Sequence, residues 1–217
     1  MVYVGVDLGG TNIAVGLVDE NGKILHKDSV PTLLERGPEP IIKDMANLSL
    51  KVVKDAGYTL DDVKAVGVGV PGLADPKTGV VIFCTNLRWH MVPLREIMQS
   101  IIDKPIFIDN DATVAGLAES VAGVSAGVAN SVFLTLGTGV GGGVYVGGRT
   151  VHGLLHPEVG HMLLRPHPDD PNPRGVCPYH DGCLEGLAAG PAIGARIGGD
   201  ARDLPDNHPT FRLEAHY

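Results

Sequence analysis

Twice in 217 residues an apolar strand runs into a glycine-rich loop and leaves it as another strand. The first instance is Val2–Val6, the loop Asp7-Leu8-Gly9-Gly10-Thr11-Asn12, and then Ile13–Val18. The second is Ser131–Leu136, the run LGTGVGGG from Leu136 to Gly143, and Gly142–Val146. A dinucleotide fingerprint needs a helix where these loops return as strands, and a Walker loop needs a Gly-Lys-Ser/Thr that neither contains. The first hairpin continues through Asp19-Glu20-Asn21-Gly22, and Asn-Gly predicts a tight turn because both residues accept positive φ. Ile24–Lys27 is then the returning strand.

Between the hairpins the pattern is α/β. Ile41, Ile42, Met45, Leu48, Val52 and Val53 recur at helical spacing within Pro40–Ala56, closed by Gly57. Ala65–Val70 reads as a strand ending at Pro71-Gly72, Leu94–Ile102 as a helix, Pro105–Ile108 as a strand, and Ala112–Ala122 as a helix after Asp109-Asn110-Asp111. Val2–Val6 reads as a buried strand. The repeated hairpin suggests two related lobes, residues 1–118 and 119–217, each lending one loop to a shared cleft. After residue 150 the composition shifts. Seven of nine His, nine of sixteen Pro and two of three Cys lie there, which marks an irregular, loop-rich segment.

The net charge is 17 − 25 = −8 with no basic run, which disfavours nucleic acid and anionic membrane as partners. No stretch approaches the roughly 20 apolar residues that span a bilayer. The opening MVYVGVDLGG lacks the basic region and cleavage site of a signal peptide, and three cysteines make no disulfide framework. A cytoplasmic location is expected.

Gly9 and Gly10 let the backbone approach a phosphate without a Cβ in the way, and Thr11 and Asn12 add side-chain donors. Asp7 offers a hard oxygen ligand for Mg²⁺. A glycine pair alone is also what a tight hairpin requires. Five glycines within Gly137–Gly143 exceed that requirement, so Gly137, Thr138, Gly139 and Gly141 are read as phosphate contacts. Asp111 opens a helix and fits either an N-cap or a general base for a sugar hydroxyl. Cys177, His180 and Cys183 form C-x2-H-x2-C with His161 upstream, a tetrahedral Zn²⁺ set. His152, His167, His208 and His216 are read as solvated loop residues.

DLGGT, a VPG strand end, DND-A, LGTGVGGG, E-x-G-H and G-C-L-E occur in that order and together resemble the ROK sugar kinases across essentially the whole chain. The resemblance implies a two-lobed actin/hexokinase-type ATPase fold of ribonuclease H-like α/β lobes. It implies ATP- and Mg²⁺-dependent phosphorylation of a hexose at its 6-hydroxyl, a structural Zn²⁺ and a homodimer. By position, the resemblance makes Asp111 the catalytic base with Asn110 beside it on the sugar, and Asn86, Glu158, His161 and Glu185 further sugar contacts. His161 would then serve zinc through one ring nitrogen and sugar through the other.

Three departures stand out. Thr113 replaces an Asn common in the family, His180 replaces a Cys of glucokinase-type members, and the chain reaches Tyr217 before a GGG-containing stretch and a final helix, so the second lobe is expected to be incomplete. Residues 1–150 are most similar to bacterial glucokinases and residues from 151 to ROK fructokinases, which puts glucose first and fructose second. An incomplete or engineered lobe that binds sugar and zinc with little turnover stays open. A sugar-responsive ROK repressor is disfavoured by the acidic charge and by a start directly on a strand.

Overall fold

The structure, a computed structural model, describes residues 1–200, 203–205 and 207–217. The chain forms two compact units, Met1–Val128 with His152–His156, and Ala129–Val151 with Pro157–Tyr217.

In the first unit, β1 (Val2–Leu8), β2 (Asn12–Asp19) and β3 (Ile24–Pro31) form an antiparallel meander. β4 (Val63–Val70) and β8 (Ile106–Asn110) add to β1 in parallel, giving the order β3-β2-β1-β4-β8. A small sheet of β5 (Leu73–Asp75), β6 (Val80–Cys84) and β7 (Trp89–Val92) lies between them in sequence. Its strands are too short and irregular to read from periodicity.

β1 is not buried on both faces. Val2, Val4, Val6 and Leu8 point inward and Tyr3, Gly5 and Asp7 outward, the period-2 alternation of a sheet with one covered face. The covering element is α1 (Pro38–Asp55), which starts at Pro38 with Gly37 before it, because proline at the first helical position gives up no hydrogen bond. It buries Ile41, Ile42, Met45, Leu48, Val52 and Val53 and ends at Gly57, whose φ of 80° only glycine adopts readily. Each fully buried side chain of this kind contributes roughly 1.5–3 kcal/mol. The opposite sheet face is lined by Gly5, Ala14, Gly16, Gly67 and Gly69 and forms an open groove of about 710 Å³.

α2 (Leu94–Gln99) is shorter than the spacing predicts, and α3 (Asp111–Ala122) follows β8 directly. The β2–β3 turn also differs from the expected Asn-Gly turn. Only Gly22 takes positive φ, and Asp19 accepts the Asn21 and Lys23 N–H groups on its carboxylate, both at 2.9 Å. An Asx-type bond has replaced the second left-handed residue.

The second unit is built on an antiparallel sheet, β9 (Asn130–Leu136), β10 (Val140–Val146) and β11 (Arg149–Thr150), in the order β11-β10-β9. β10 begins at Val140, two residues before the sequence-predicted start. α4 (Leu184–Ala188), α5 (Gly190–Ile197) and α6 (Thr210–Glu214) follow. β9 carries Val132, Leu134 and Leu136 exposed. No helix among the described residues is long and apolar enough to cross a membrane.

Candidate active site

The first glycine loop is the three-residue link Gly9-Gly10-Thr11 between β1 and β2, closed by the Gly9 N–H donating to the Asn12 carbonyl at 2.9 Å. Asp7 leaves β1 at the carboxyl end of the parallel strands, where ligands of open α/β sheets gather. Asp7, Gly69 and Asp109 are register neighbours across β1, β4 and β8 and so share one sheet face. A Cβ on Gly69 would lie 3.5 Å from the Asp111 Cα, so Asp111 sits directly over this glycine.

Asp111 is the first residue of α3, and the cap is its neighbour. Asn110 accepts the Thr113 N–H on Oδ1 (3.1 Å) and donates Nδ2 to the Gly72 carbonyl (3.2 Å) and to Asp111 Oδ1 (3.1 Å). The Asp111 carboxylate also accepts the Ala112 N–H at 2.8 Å. The N-cap reading of Asp111 is therefore replaced by an Asn110 cap. Asn110 is 6% exposed and its amide is spent within the protein. Burial strips water from the Asp111 carboxylate and raises its pKa above the ordinary value; the Ala112 N–H and His156 oppose this and the Asp7 charge adds to it. Asn86 lies exposed in the β6–β7 turn, beside Arg88 at φ 56°.

In the second unit the loop is Gly137-Thr138-Gly139, with the Gly137 N–H donating to the Gly139 carbonyl at 2.9 Å. Gly141 lies one residue inside β10. The Gly137 carbonyl accepts the Gly190 N–H (2.8 Å) at the start of α5, and Glu185 of α4 accepts the Val140 N–H on Oε2 (3.0 Å). The Glu158-Val159-Gly160-His161 turn packs on β10. A Cβ on Gly160 would fall 2.0 Å from the Val140 carbonyl oxygen, so that position requires glycine. Glu158 is exposed in this turn. A cavity of about 660 Å³ opens between the loop and α5, lined by Gly137, Thr138, Pro191, Gly194 and Asp200.

His161, Cys177, His180 and Cys183 converge, with one ligand atom from each lying within 4.8 Å of all the others. His161 Nδ1 is 3.9 Å from Cys177 Sγ and 3.8 Å from Cys183 Sγ, and His180 Nδ1 is 3.8 Å from Cys177 Sγ. Tetrahedral zinc with ordinary bond lengths places S and N ligands roughly 3.6 Å apart, so the donor set fits the ion. The Tyr179 and Gly186 N–H groups donate to the two sulfurs, which suits thiolates. Nδ1 of His161 faces the sulfurs and leaves Nε2 for another partner.

Two contacts escaped the sequence reading. His152 is an exposed loop residue, but it has a partner: its Nε2 lies 3.0 and 2.9 Å from the two carboxylate oxygens of Asp109. Its position in the first unit, far from Asp109 in sequence, gave no local signal. His167 likewise packs edge-on against His216, with ring centroids 4.7 Å apart.

An antiparallel meander joined to parallel strands, with a glycine loop in the first hairpin and a carboxylate at the β8–α3 junction, defines the actin/hexokinase-type ATPase fold. The ROK family profile matches residues 3–214, and the chain belongs to that family. It is 39% identical to a glucokinase of Thermotoga maritima over 88% of this chain and 58% of that protein. It is 32% identical to a fructokinase of Pediococcus pentosaceus over 100% of this chain and 73% of that protein. The fold is similar, with a TM-score of 0.73 and 33% identity, to a ROK glucokinase from Streptomyces griseus solved with glucose and AMPPNP, covering 90% of this chain and 59% of that one. The chain thus spans between about three fifths and three quarters of the length of these relatives.

Proposed function

We propose that the chain carries the phosphate and sugar sites of an ATP-dependent hexose 6-kinase, with glucose as the leading substrate and fructose as the second. The observation that carries this reading is the placement of Asp111 over Gly69, beside the strand end bearing Asp7 and the first glycine loop. A base and a phosphate loop on neighbouring strand ends of one sheet suit phosphoryl transfer, where positioning and charge dominate.

On this reading Asp111 accepts the proton of the hexose 6-hydroxyl as that oxygen bonds to the γ-phosphorus, while the bond from phosphorus to the β,γ-bridging oxygen breaks and ADP leaves. Asn110 and the Ala112 N–H fix the carboxylate, so Asn110 acts through Asp111 more than as a free sugar donor. Asn86, Glu158, His161 through Nε2, and Glu185 take the sugar hydroxyls. Gly9, Gly10, Thr11 and Asn12, with Gly137, Thr138, Gly139 and Gly141, take the phosphates. Mg²⁺, held by Asp7 directly or through water, supplies neutralisation of phosphate charge. Zn²⁺ on His161, Cys177, His180 and Cys183 supplies rigidity to a unit with a small apolar core. A cytoplasmic homodimer completes the reading.

A coupled assay with glucose, fructose, mannose and N-acetylmannosamine tests it, with the highest kcat/KM expected for glucose. Equal and negligible rates with all four would remove the enzyme reading. Fructokinase activity is favoured by one observation, the fructokinase-like Glu158–Glu185 segment, and a fructose preference would establish it. Metal analysis is expected to find one zinc per chain and none after Cys177→Ser.

A further inference from the structure

Thr32 follows β3, has no accessible surface, and makes three polar contacts, two of them to the first glycine loop. Its Oγ1 donates to the Gly9 carbonyl at 2.7 Å, and its N–H donates to the Thr11 carbonyl at 2.9 Å. Its own carbonyl accepts from the Arg36 guanidinium at 3.3 Å, and Arg36 is itself paired with Asp44 of α1. The next residue, Leu33, sits at φ 51°, ψ 67°, a left-handed conformation that is unfavourable for a non-glycine residue. The chain accepts that strain where it turns away from the loop.

The consequence follows from peptide planarity. In a trans peptide the carbonyl of one residue and the N–H of the next point in opposite directions. With the Gly9 and Thr11 carbonyls drawn onto Thr32, the N–H groups of Gly10 and Asn12 must face away from it. The Gly9 N–H is already spent on the Asn12 carbonyl, so Gly10 is the loop's outward donor at its tip, and nothing lies within 4 Å of where a Cβ on Gly10 would be. A loop that presents N–H groups while its carbonyls are held behind it is an anion cradle.

We propose that Thr32 is a positioning residue for phosphate binding, acting through the Gly9 and Thr11 carbonyls to hold the Gly10 and Asn12 N–H groups toward the nucleotide phosphates. This rests on the reading of the first loop as a phosphate loop and adds a residue outside it that sets its donor direction. Leaving the Gly9 carbonyl without its partner lets that peptide rotate and turn its N–H away.

The test is calorimetric titration of the full chain with Mg·AMPPNP and, separately, with glucose and fructose, for wild type, Thr32→Val, Thr32→Ala and Thr32→Ser. Thr32→Val keeps the shape and loses the hydroxyl. Its AMPPNP Kd is expected to rise about tenfold, the factor one ordinary hydrogen bond produces, while hexose Kd stays within about twofold. Thr32→Ser retains the donor and is expected to stay near wild type, and Thr32→Ala to follow valine. Where valine fails to fold, the alanine–serine pair decides. Equal AMPPNP affinity across the folded variants, or a parallel loss of hexose affinity, overturns the assignment. Wild-type protein that binds hexose but no AMPPNP overturns the phosphate-loop reading itself, and this inference with it.

Discussion

The two glycine loops have the same length and the same setting, three residues between antiparallel strands, yet they are held by different groups. Gly9-Gly10-Thr11 is braced through its carbonyls by a neutral, buried threonine. Gly137-Thr138-Gly139 is braced at one end through the Gly137 carbonyl and at the other through the Val140 N–H, which the Glu185 carboxylate takes. A Cβ on Gly139 would lie 2.6 Å from Glu185 Oε2, so the second loop has an acid against it. The contrast teaches that glycine content marks where a backbone can approach a phosphate, while the bracing groups decide how willingly it does. On the proposed reading the first loop is set for anion binding. The second also depends on a carboxylate that the proposed function assigns to sugar.

The units carrying these loops differ as sharply. Among the described residues, the first unit's core joins twenty-nine buried apolar side chains and the second unit's joins four, so the second must draw stability from polar devices. The Arg196–Asp170 pair is one: both side chains are almost without exposure, the contacts are 3.1 and 2.8 Å, and Tyr217 donates to the same carboxylate at 2.7 Å. Arg196→Ala strands a buried charge, and is expected to destabilise the second unit by about 3–5 kcal/mol. Hydrogen exchange should then show residues 157–217 losing protection while α1 and the five-stranded sheet keep theirs. Uniform loss across both units would break the contrast.

Gly160→Ala comes next in size. The added methyl meets the Val140 carbonyl, a backbone atom, so the Glu158–His161 turn must leave β10. Hexose affinity is expected to fall by about fivefold to a hundredfold, as for overpacking that costs about 1–3 kcal/mol. Nucleotide binding at the first loop should be retained, and calorimetry with both ligands checks this.

How much of this was legible beforehand depends on how local the cause was. Both hairpin loops, the Gly57 stop of α1 and the Cys177–Cys183 spacing are set by residues near one another, and they read directly. Glu185 was singled out by its motif, but its bond to Val140 spans 45 positions and left no sequence signal. His152 acts over 43 positions and read as a solvated loop residue, and Thr32, acting over 23 positions, carried no local signal at all. The β5–β7 sheet was missed because strands of three to five residues show no periodicity. Asp111 was legible as either cap or base, and only the Asn110 contacts showed that the cap is its neighbour.

Glu185→Gln sharpens the loop comparison with a smaller effect. The amide oxygen can still accept from Val140 while the charge is gone, so hexose Kd is expected to rise several-fold, in line with one charge-assisted bond. AMPPNP affinity should be unchanged or tighter. Weaker nucleotide binding in this variant would mean the acid holds the loop and does not oppose phosphate.

The smallest effect is on pH. The folded Asp111 pKa lies above its ordinary value of 3.8, so this group favours the fold when protonated and that contribution is lost as pH rises through the folded pKa. On the proposed reading the base works only above the same pKa, which places the acid limb of kcat/KM, the free-enzyme profile, higher than an ordinary aspartate would. His156 lowers the Asp111 pKa, so His156→Gln is expected to move the acid limb upward. A limb that stays in place would separate His156 from the base.

The most direct test of the account is single-turnover transfer from γ-labelled Mg·ATP to hexose by the full chain and by Asp111→Asn, with hexose Kd measured for both. Label is expected on the 6-oxygen of glucose with wild-type protein. The variant should be slower by roughly 10²-fold or more at unchanged hexose Kd, the contribution of a general base. No labelled hexose from wild type, or undiminished transfer by Asp111→Asn, would contradict it.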